Sequence, residues 1–180
     1  MEFIEQFDQT IFQLVSSWSC PFADRIFTFF SAIGDFGLIW LFFIFCVLFS
    51  RKYRYYGVTA LVALALSMVV VHLFLKPGFA RPRPFELYEG LELLIAPPFG
   101  SSFPSGHAAS SFAVASCLFA ANRKLGGYAL VIAAIISLSR IYLFVHFPSD
   151  VLAGAVIGAL CALLMLVVKK FTLNRIPRLR

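Results

Sequence analysis

Long apolar segments constrain this chain more than any other feature of its sequence. Four of them, at residues 55–75, 105–121, 127–145 and 149–168, approach or reach the length of about 20 residues that a helix needs to cross a bilayer core. A fifth, at 36–50, is shorter but almost entirely apolar. Charged residues make up 13% of the chain, against roughly 25% in soluble domains. The sequence therefore predicts an all-α integral membrane protein with a bundle of five transmembrane helices.

The connections between these segments predict how the chain is oriented. Short basic stretches at 51–54 and 122–124, and a basic tail that begins at Lys169, join or follow the apolar segments. Lysine and arginine favour the cytoplasmic side, so these stretches are predicted to be cytoplasmic. The segments 76–104 and 146–148 then lie on the opposite, outer face of a multi-pass protein of the cytoplasmic (inner) cell membrane.

The N-terminal 34 residues predict a different kind of structure. Apolar residues recur near helical spacing, but polar residues, among them Asp24 and Arg25, interrupt any clean span. We expect one or two amphipathic helices in the outer interface, with a sixth crossing as the open alternative. The chain is predicted to form one domain over 1–180, with interfacial helices at 1–34, a transmembrane catalytic core at 35–170 and a basic cytoplasmic tail at 171–180.

A cationic cluster follows the segment 55–75, in the stretch KPGFARPRP at 76–84. Lys76 is predicted to end a membrane helix, because Pro77 and Gly78 do not continue one comfortably. Arg81 and Arg83 each precede a proline, which favours extended backbone. The cluster predicts an anion-binding segment; the alternative is that these side chains reach lipid headgroups.

A second cluster, FPSGHAAS at 103–110, precedes the next apolar run. Ser105 is expected near the N-cap of a helix. Free backbone N–H groups and the helix dipole favour an anion there, and Gly106 would let it approach the main chain closely. His107 then lies in the first turn. The alternative is an ordinary capped helix whose histidine faces the interface.

A third cluster, SRIYLFVHFPSD at 139–150, contains Arg140, His146 and Asp150. Arg140 is predicted a short way inside the membrane, facing protein or water. Pro148 suits the first turn of the next helix, which would place the Asp150 carboxylate near His146 and leave the other ring nitrogen as a nucleophile or base. The alternative is a structural His–Asp bond. All three clusters are predicted on the outer face, where their cations outnumber their one carboxylate. A phosphate would fit, since arginine offers it bidentate contacts and lysine a point charge.

In order, the three clusters match a known three-part signature: Lys-x6-Arg-Pro (76, 83, 84), Pro-Ser-Gly-His (104–107) and Ser-Arg-x5-His-x3-Asp (139, 140, 146, 150). The chain resembles the type 2 phosphatidic acid phosphatase (PAP2) family, in particular its small bacterial membrane members. The resemblance implies a lipid phosphatase. It favours undecaprenyl pyrophosphate as the substrate, with phosphatidylglycerophosphate or phosphatidic acid next.

The resemblance also implies a role for each site residue. His146 would attack phosphorus and form a phosphohistidine, with Asp150 orienting it and His107 protonating the leaving oxygen. The groups that would hold the phosphoryl oxygens are Lys76, Arg83, Ser105, Gly106 and Arg140. Arg81 would have only a supporting role. No metal and no cofactor are implied.

Other classes of function fit the sequence less well. The basic residues lie at the ends of apolar segments, which indicates membrane topology and not nucleic-acid binding. A lipid A 1-phosphatase type of enzyme remains an alternative substrate assignment. A membrane anion or proton transporter is the alternative from another class, but no chain of polar residues continues to the cytoplasm. His72 is interpreted as a packed helix residue. The expected partners are a phosphorylated lipid and membrane lipids; the sequence does not indicate an oligomeric state.

Overall fold

The structure, a computed structural model, describes residues 2–88 and 92–175. Within those residues it contains nine α-helices, a 3-10 turn at Asp35–Gly37 and a π-helical segment at Val70–Leu75, and no strand. The helices are α1 (Glu2–Ser16), α2 (Pro21–Gly34), α3 (Leu38–Leu48), α4 (Arg54–Val69), α5 (Lys76–Phe79), α6 (Pro84–Leu87), α7 (Gly106–Ala121), α8 (Arg123–Tyr142) and α9 (Pro148–Arg175).

Four helical stretches are long and apolar enough to cross a membrane: Pro21–Leu48, Arg54–Leu87, Arg123–Tyr142 and Pro148–Thr172. The apolar helix Gly106–Ala121 is shorter. The all-helical membrane architecture is thereby confirmed. Of the basic tail predicted at 171–180, residues 176–180 lie outside the described part of the chain.

Helix α7 forms the centre of the bundle and packs against α4, α8 and α9. Four of its alanines, Ala108, Ala109, Ala113 and Ala115, are fully buried. Gly154 and Gly158 of α9 lie directly against its backbone: a Cβ added at Gly158 would be 2.2 Å from the carbonyl oxygen of Ala109. Small residues at this spacing let two membrane helices approach closely. The beginnings of α7 and α9 are therefore held side by side at one end of the bundle.

The first apolar stretch begins at Pro21, whereas we expected a crossing to begin at residue 36. Helix α2 packs along α8, and the 3-10 turn connects it to α3. Asp24, one of the polar residues that seemed to interrupt the span, has a partner within the protein, and so does Ser31. The Tyr142 hydroxyl donates to Asp24 Oδ1 at 2.5 Å, and Arg140 donates to the Ser31 hydroxyl. Because these groups are satisfied internally, the apolar span can include them.

Helix α1 packs against α8 and α9 with Phe12 and Val15 buried. Phe12 stacks on Phe144, with ring centroids 5.3 Å apart. The interfacial position predicted for the N-terminal segment stays a prediction for this helix.

Lys76 does not end the helix that precedes it, and that expectation was wrong. The chain passes from α4 through the π segment into α5, which ends at Phe79, before Ala80 with φ 45°. The Lys76 N–H donates to the Val71 carbonyl, five residues back. Pro77 then falls in the first turn of α5, where an α-helix needs no N–H donor. The π segment thus lets the helical path continue past a proline.

Candidate active site

A cavity of about 430 Å³ brings together most of the predicted site residues. Residues of α2, of α4 and of the π segment line it, as do residues from the first turns of α7 and from the segment 95–99. The predicted residues that line it are Lys76, Arg83, Gly106, His107, Arg140 and His146. Asp150 and Ser105 are fully buried and contribute no surface to this cavity.

Three cations of this cavity have no carboxylate within 4.0 Å among the described residues. Lys76 Nζ donates to the Ser101 carbonyl at 2.7 Å. Arg83, 2% exposed, donates to the carbonyls of Val145 and Gly100 at 2.7 and 2.9 Å. Arg140 Nε is buried and has no hydrogen-bond partner in the part of the chain that the structure describes. A cavity lined by cations that lack a counter-ion favours binding of an anion.

The His146 ring is buried and directs its two nitrogens to different surroundings. Nδ1 faces the Asp150 carboxylate, and Nε2 lies 3.5 Å from Arg83 Nη1. Burial lowers the pKa of His146 to about 3 from an ordinary value of 6.5. The ring is therefore neutral at physiological pH, the form in which an imidazole nitrogen can act as a nucleophile.

The contact between Asp150 and His146 differs from the direct bond expected from the sequence. Asp150 Oδ2 lies 3.8 Å from His146 Nδ1, which is too long for a hydrogen bond. The Ser102 hydroxyl lies between them, 2.5 Å from Oδ2 and 3.5 Å from Nδ1. The Phe147 N–H also donates to Oδ2, at 2.8 Å. These donors hold the carboxylate, and Ser102 bridges it to the imidazole.

Arg81 is the counter-ion of Asp150 and is absent from the cavity lining. Its Nη1 donates to Asp150 Oδ1 at 2.5 Å, and its Nη2 donates to Asp8 Oδ2 at 2.9 Å. Asp8 is 2% exposed and also accepts from the Ser149 N–H at 2.8 Å. Asp8 was not predicted as a site residue. It lies on the same face of α1 as the buried Phe12, and a carboxylate on a buried helix face indicates a partner.

Ser105 caps helix α7 as predicted, because its hydroxyl accepts from the Ala108 N–H at 3.4 Å. Its backbone N–H donates to the Asp150 carbonyl at 3.0 Å, which joins the beginnings of α7 and α9. The hydroxyl is fully buried behind the cavity, so the structure gives it a capping contact and no surface facing a phosphate.

Two titratable residues that were not predicted as site residues, Asp35 and His72, also line the cavity. Asp35 Oδ1 lies 2.9 Å from His107 Nε2, and its side chain is half exposed. His72, interpreted from sequence as a packed residue, lies in the π segment and lines the same cavity. It is four residues before Lys76, the spacing that places two residues on one helix face, and that spacing was a usable signal.

Comparison with known proteins relates this arrangement to one family. The model described as the PAP2 superfamily matches residues 56–173. This range contains all eight predicted site residues, whereas Asp8 and Asp35 lie before it.

Individual relatives extend the match beyond that range. The undecaprenyl-diphosphatase of Sulfolobus acidocaldarius is 27% identical over 154 residues, covering 85% of this chain and 74% of that protein. The lipid A 4'-phosphatase of Bacteroides thetaiotaomicron is 29% identical over 172 residues, covering 88% and 75%. The chain spans only 40% of the bacitracin transport permease protein BcrC of Bacillus licheniformis, at 38% identity over 81 residues. The crystal structure of Aquifex aeolicus LpxE has a TM-score of 0.77 at 32% identity, covering 88% of this chain and 93% of that one.

Proposed function

Because this chain belongs to the PAP2 superfamily, we propose that it is a membrane phosphatase that hydrolyses the phosphate monoester or pyrophosphate of a lipid at the outer membrane face. One observation carries the proposal. A neutral, buried His146 lines the same cavity as three cations, Lys76, Arg83 and Arg140, that have no carboxylate partner in the described chain. This combination suits a phosphoryl group, which supplies the missing negative charge while the imidazole supplies the nucleophile.

The reaction proceeds in two steps. His146 Nε2 attacks phosphorus, forming a nitrogen–phosphorus bond as the bond to the leaving oxygen breaks. His107 gives its proton to that oxygen, and in the second step it takes a proton from the water that cleaves the phosphohistidine. The positive charge that develops on the His146 ring is stabilised by Asp150, both directly and through the Ser102 hydroxyl.

The transferred phosphoryl group is held by the side chains that lack counter-ions. Lys76 and Arg140 meet its oxygens, and the N-terminus of α7 at Gly106 offers free backbone N–H groups. Arg83 is held by three backbone carbonyls, at Phe99, Gly100 and Val145, so its guanidinium acts as a fixed positive charge. Charges fixed before the reaction stabilise the transition state without reorganising.

A lipid substrate fits the position of the cavity. Its walls combine the polar site with apolar residues, among them Met68, Phe36 and Ile95, on helices of membrane-spanning length and on the segment 95–99. Undecaprenyl pyrophosphate is the favoured substrate, and the Sulfolobus relative supports it. A lipid A phosphate is the alternative, which the Bacteroides relative supports.

The direct test uses purified protein in detergent with a chelator present. We expect phosphate release from undecaprenyl pyrophosphate, phosphatidylglycerophosphate, phosphatidic acid or lipid A, compared at matched detergent dilution, and His146→Ala should abolish it. Arg25→Ala, an exposed position on α2, is the control that should retain activity. Labelled substrate should leave an acid-labile phosphoenzyme in the wild-type protein only. Activity that survives His146→Ala, or that strictly needs magnesium, would contradict the mechanism.

A further inference from the structure

A carboxylate from outside the family match contacts the second histidine of the site. Asp35 Oδ1 lies 2.9 Å from His107 Nε2, 72 positions apart in the sequence. Both side chains line the cavity; that of Asp35 is 50% exposed and that of His107 is 18% exposed. A pair with a purely structural role does not need a half-exposed carboxylate at the surface of a reaction cavity.

The backbone directly after Asp35 adopts an unfavourable conformation. Asp35 begins the 3-10 turn between α2 and α3, and the next residue, Phe36, has a left-handed φ of 54°. Non-glycine residues rarely adopt this conformation, and the Phe36 side chain is 91% exposed, so packing of its ring does not compensate. Backbone strain of this kind is concentrated at functional sites.

Gly34 brings the same turn close to the histidine. A Cβ added there would be 2.9 Å from His107 Cδ2 and 2.8 Å from Ile136 Cγ2. Any larger residue would push α2 away from α7 and α8. The His107 imidazole therefore packs closely against Gly34 and is hydrogen-bonded to Asp35 in the strained turn.

We propose that Asp35 is the positioning residue of His107: it fixes the proton on Nε2 and stabilises the imidazolium that the first step consumes. This rests on the proposed function, in which His107 is the general acid. As the bond from phosphorus to the leaving oxygen breaks, the proton on the other ring nitrogen, Nδ1, passes to that oxygen, and a neutral imidazole remains, still protonated on Nε2 and bonded to the Asp35 carboxylate. The equivalent support of His146 comes from Asp150, so each histidine of the site has its own carboxylate.

The contribution of Asp35 to kcat/KM should increase as the leaving group becomes poorer. The alcohol of a lipid phosphate monoester leaves slowly unless it is protonated, whereas p-nitrophenolate leaves without a proton. General acid catalysis contributes about 10²- to 10⁴-fold where it is needed. Loss of the carboxylate therefore affects the two classes of substrate unequally, which a purely structural role does not explain.

The test compares kcat/KM for phosphatidic acid and p-nitrophenyl phosphate in the same detergent. Asp35→Asn should lower kcat/KM for phosphatidic acid by roughly 10- to 100-fold and that for p-nitrophenyl phosphate by less than about 3-fold. Asp35→Glu, which keeps the carboxylate, should recover part of the loss. Asp24→Asn is the matched control, since Asp24 lies on α2, the helix that precedes Asp35, and its carboxylate also accepts a hydrogen bond from a side chain of another helix, Tyr142 of α8. It should affect both substrates equally or not at all.

An equal loss on both substrates, or no loss on either, overturns the role of Asp35. If Asp35→Asn fails to fold in detergent, Asp35→Ser provides the same loss of the carboxylate, and Asp35→Glu remains the variant that keeps it. Failure of the role of Asp35 and failure of the proposed function can be distinguished. If His107→Ala lowers kcat/KM equally for both substrates, His107 is not the general acid. If the wild-type protein releases no phosphate that depends on His146, the proposed function itself is contradicted.

Discussion

Asp8 and Asp150 bind the same guanidinium, that of Arg81, at 2.9 and 2.5 Å. The first carboxylate belongs to α1 and the second to the first turn of α9, so one arginine joins these two helices beside the site. The Arg81 guanidinium also stacks on the Phe147 ring, 4.0 Å from its centroid. Arg81 therefore serves as a counter-ion for buried carboxylates, and helix α1 is part of the support of Asp150.

Asp8→Asn should reduce the free energy of unfolding by about 1–2 kcal/mol, because the variant loses one charged partner of a guanidinium that is only partly exposed. Thermal unfolding in detergent measures the change. Glu5→Gln, on the same helix but exposed, should unfold at the wild-type temperature. Equal unfolding temperatures for Asp8→Asn and wild type would mean that the Asp8–Arg81 pair contributes nothing.

Ser102→Ala should lower kcat by about 10-fold with little change in KM, because a hydrogen bond to a buried carboxylate contributes about 1.5–3 kcal/mol and orients the nucleophile here. Steady-state phosphate release measures both constants. Ser137→Ala is the matched control, since the Ser137 hydroxyl is buried and has no hydrogen-bond partner among residues 2–88 and 92–175. A KM effect without a kcat effect would show that Ser102 contributes to substrate binding and not to orienting His146.

Stability should fall as the pH falls from about 6.5 towards 3. The folded His146 has its pKa lowered to about 3, while the unfolded histidine titrates near 6.5, so in this window only the unfolded state binds the proton. The contribution of this residue to the slope is at most about 1.4 kcal/mol per pH unit. Unfolding temperatures of wild type and His146→Gln between these pH values test it: the difference between them should shrink or reverse on acidification. Parallel curves would contradict a neutral, buried His146.

Gly158→Ala should destabilise the bundle by about 3 kcal/mol or more, because its Cβ would be 2.2 Å from the Ala109 carbonyl oxygen and both atoms belong to rigid helices. Gly127→Ala offers the control, since a Cβ added at that helical position meets nothing within 4 Å, and alanine has the higher helix propensity. The expected order of unfolding temperatures is Gly127→Ala at or above wild type and Gly158→Ala well below.

The sequence was most informative where chemistry is local. Polar residues such as Arg140 and His146 stand out in an apolar chain, and their common side of the membrane follows from charges elsewhere. The contacts of Asp8 and Asp35 were not predictable in the same way. Their partners lie 73 and 72 positions away, and each contact depends on how two helices pack. The helical continuation past Lys76 was missed for a local reason: the proline signal is strong, and the π segment that accommodates it has no marker in the sequence.

The backbone contact between α7 and α9 separates the part of the cavity that holds the two histidines from the part that can vary with the substrate. His107 begins one of these helices and His146 precedes the other, and the Ser105 N–H bonded to the Asp150 carbonyl joins them at the site. The spacing of the two histidines is thus set by main-chain geometry and is insensitive to the size of the lipid. The cavity lining from α2 and from residues 95–99 is not part of this backbone contact. Substitutions in α2 and in residues 95–99 can therefore change the substrate range without moving the two histidines, so related enzymes can differ in substrate and keep the same reaction.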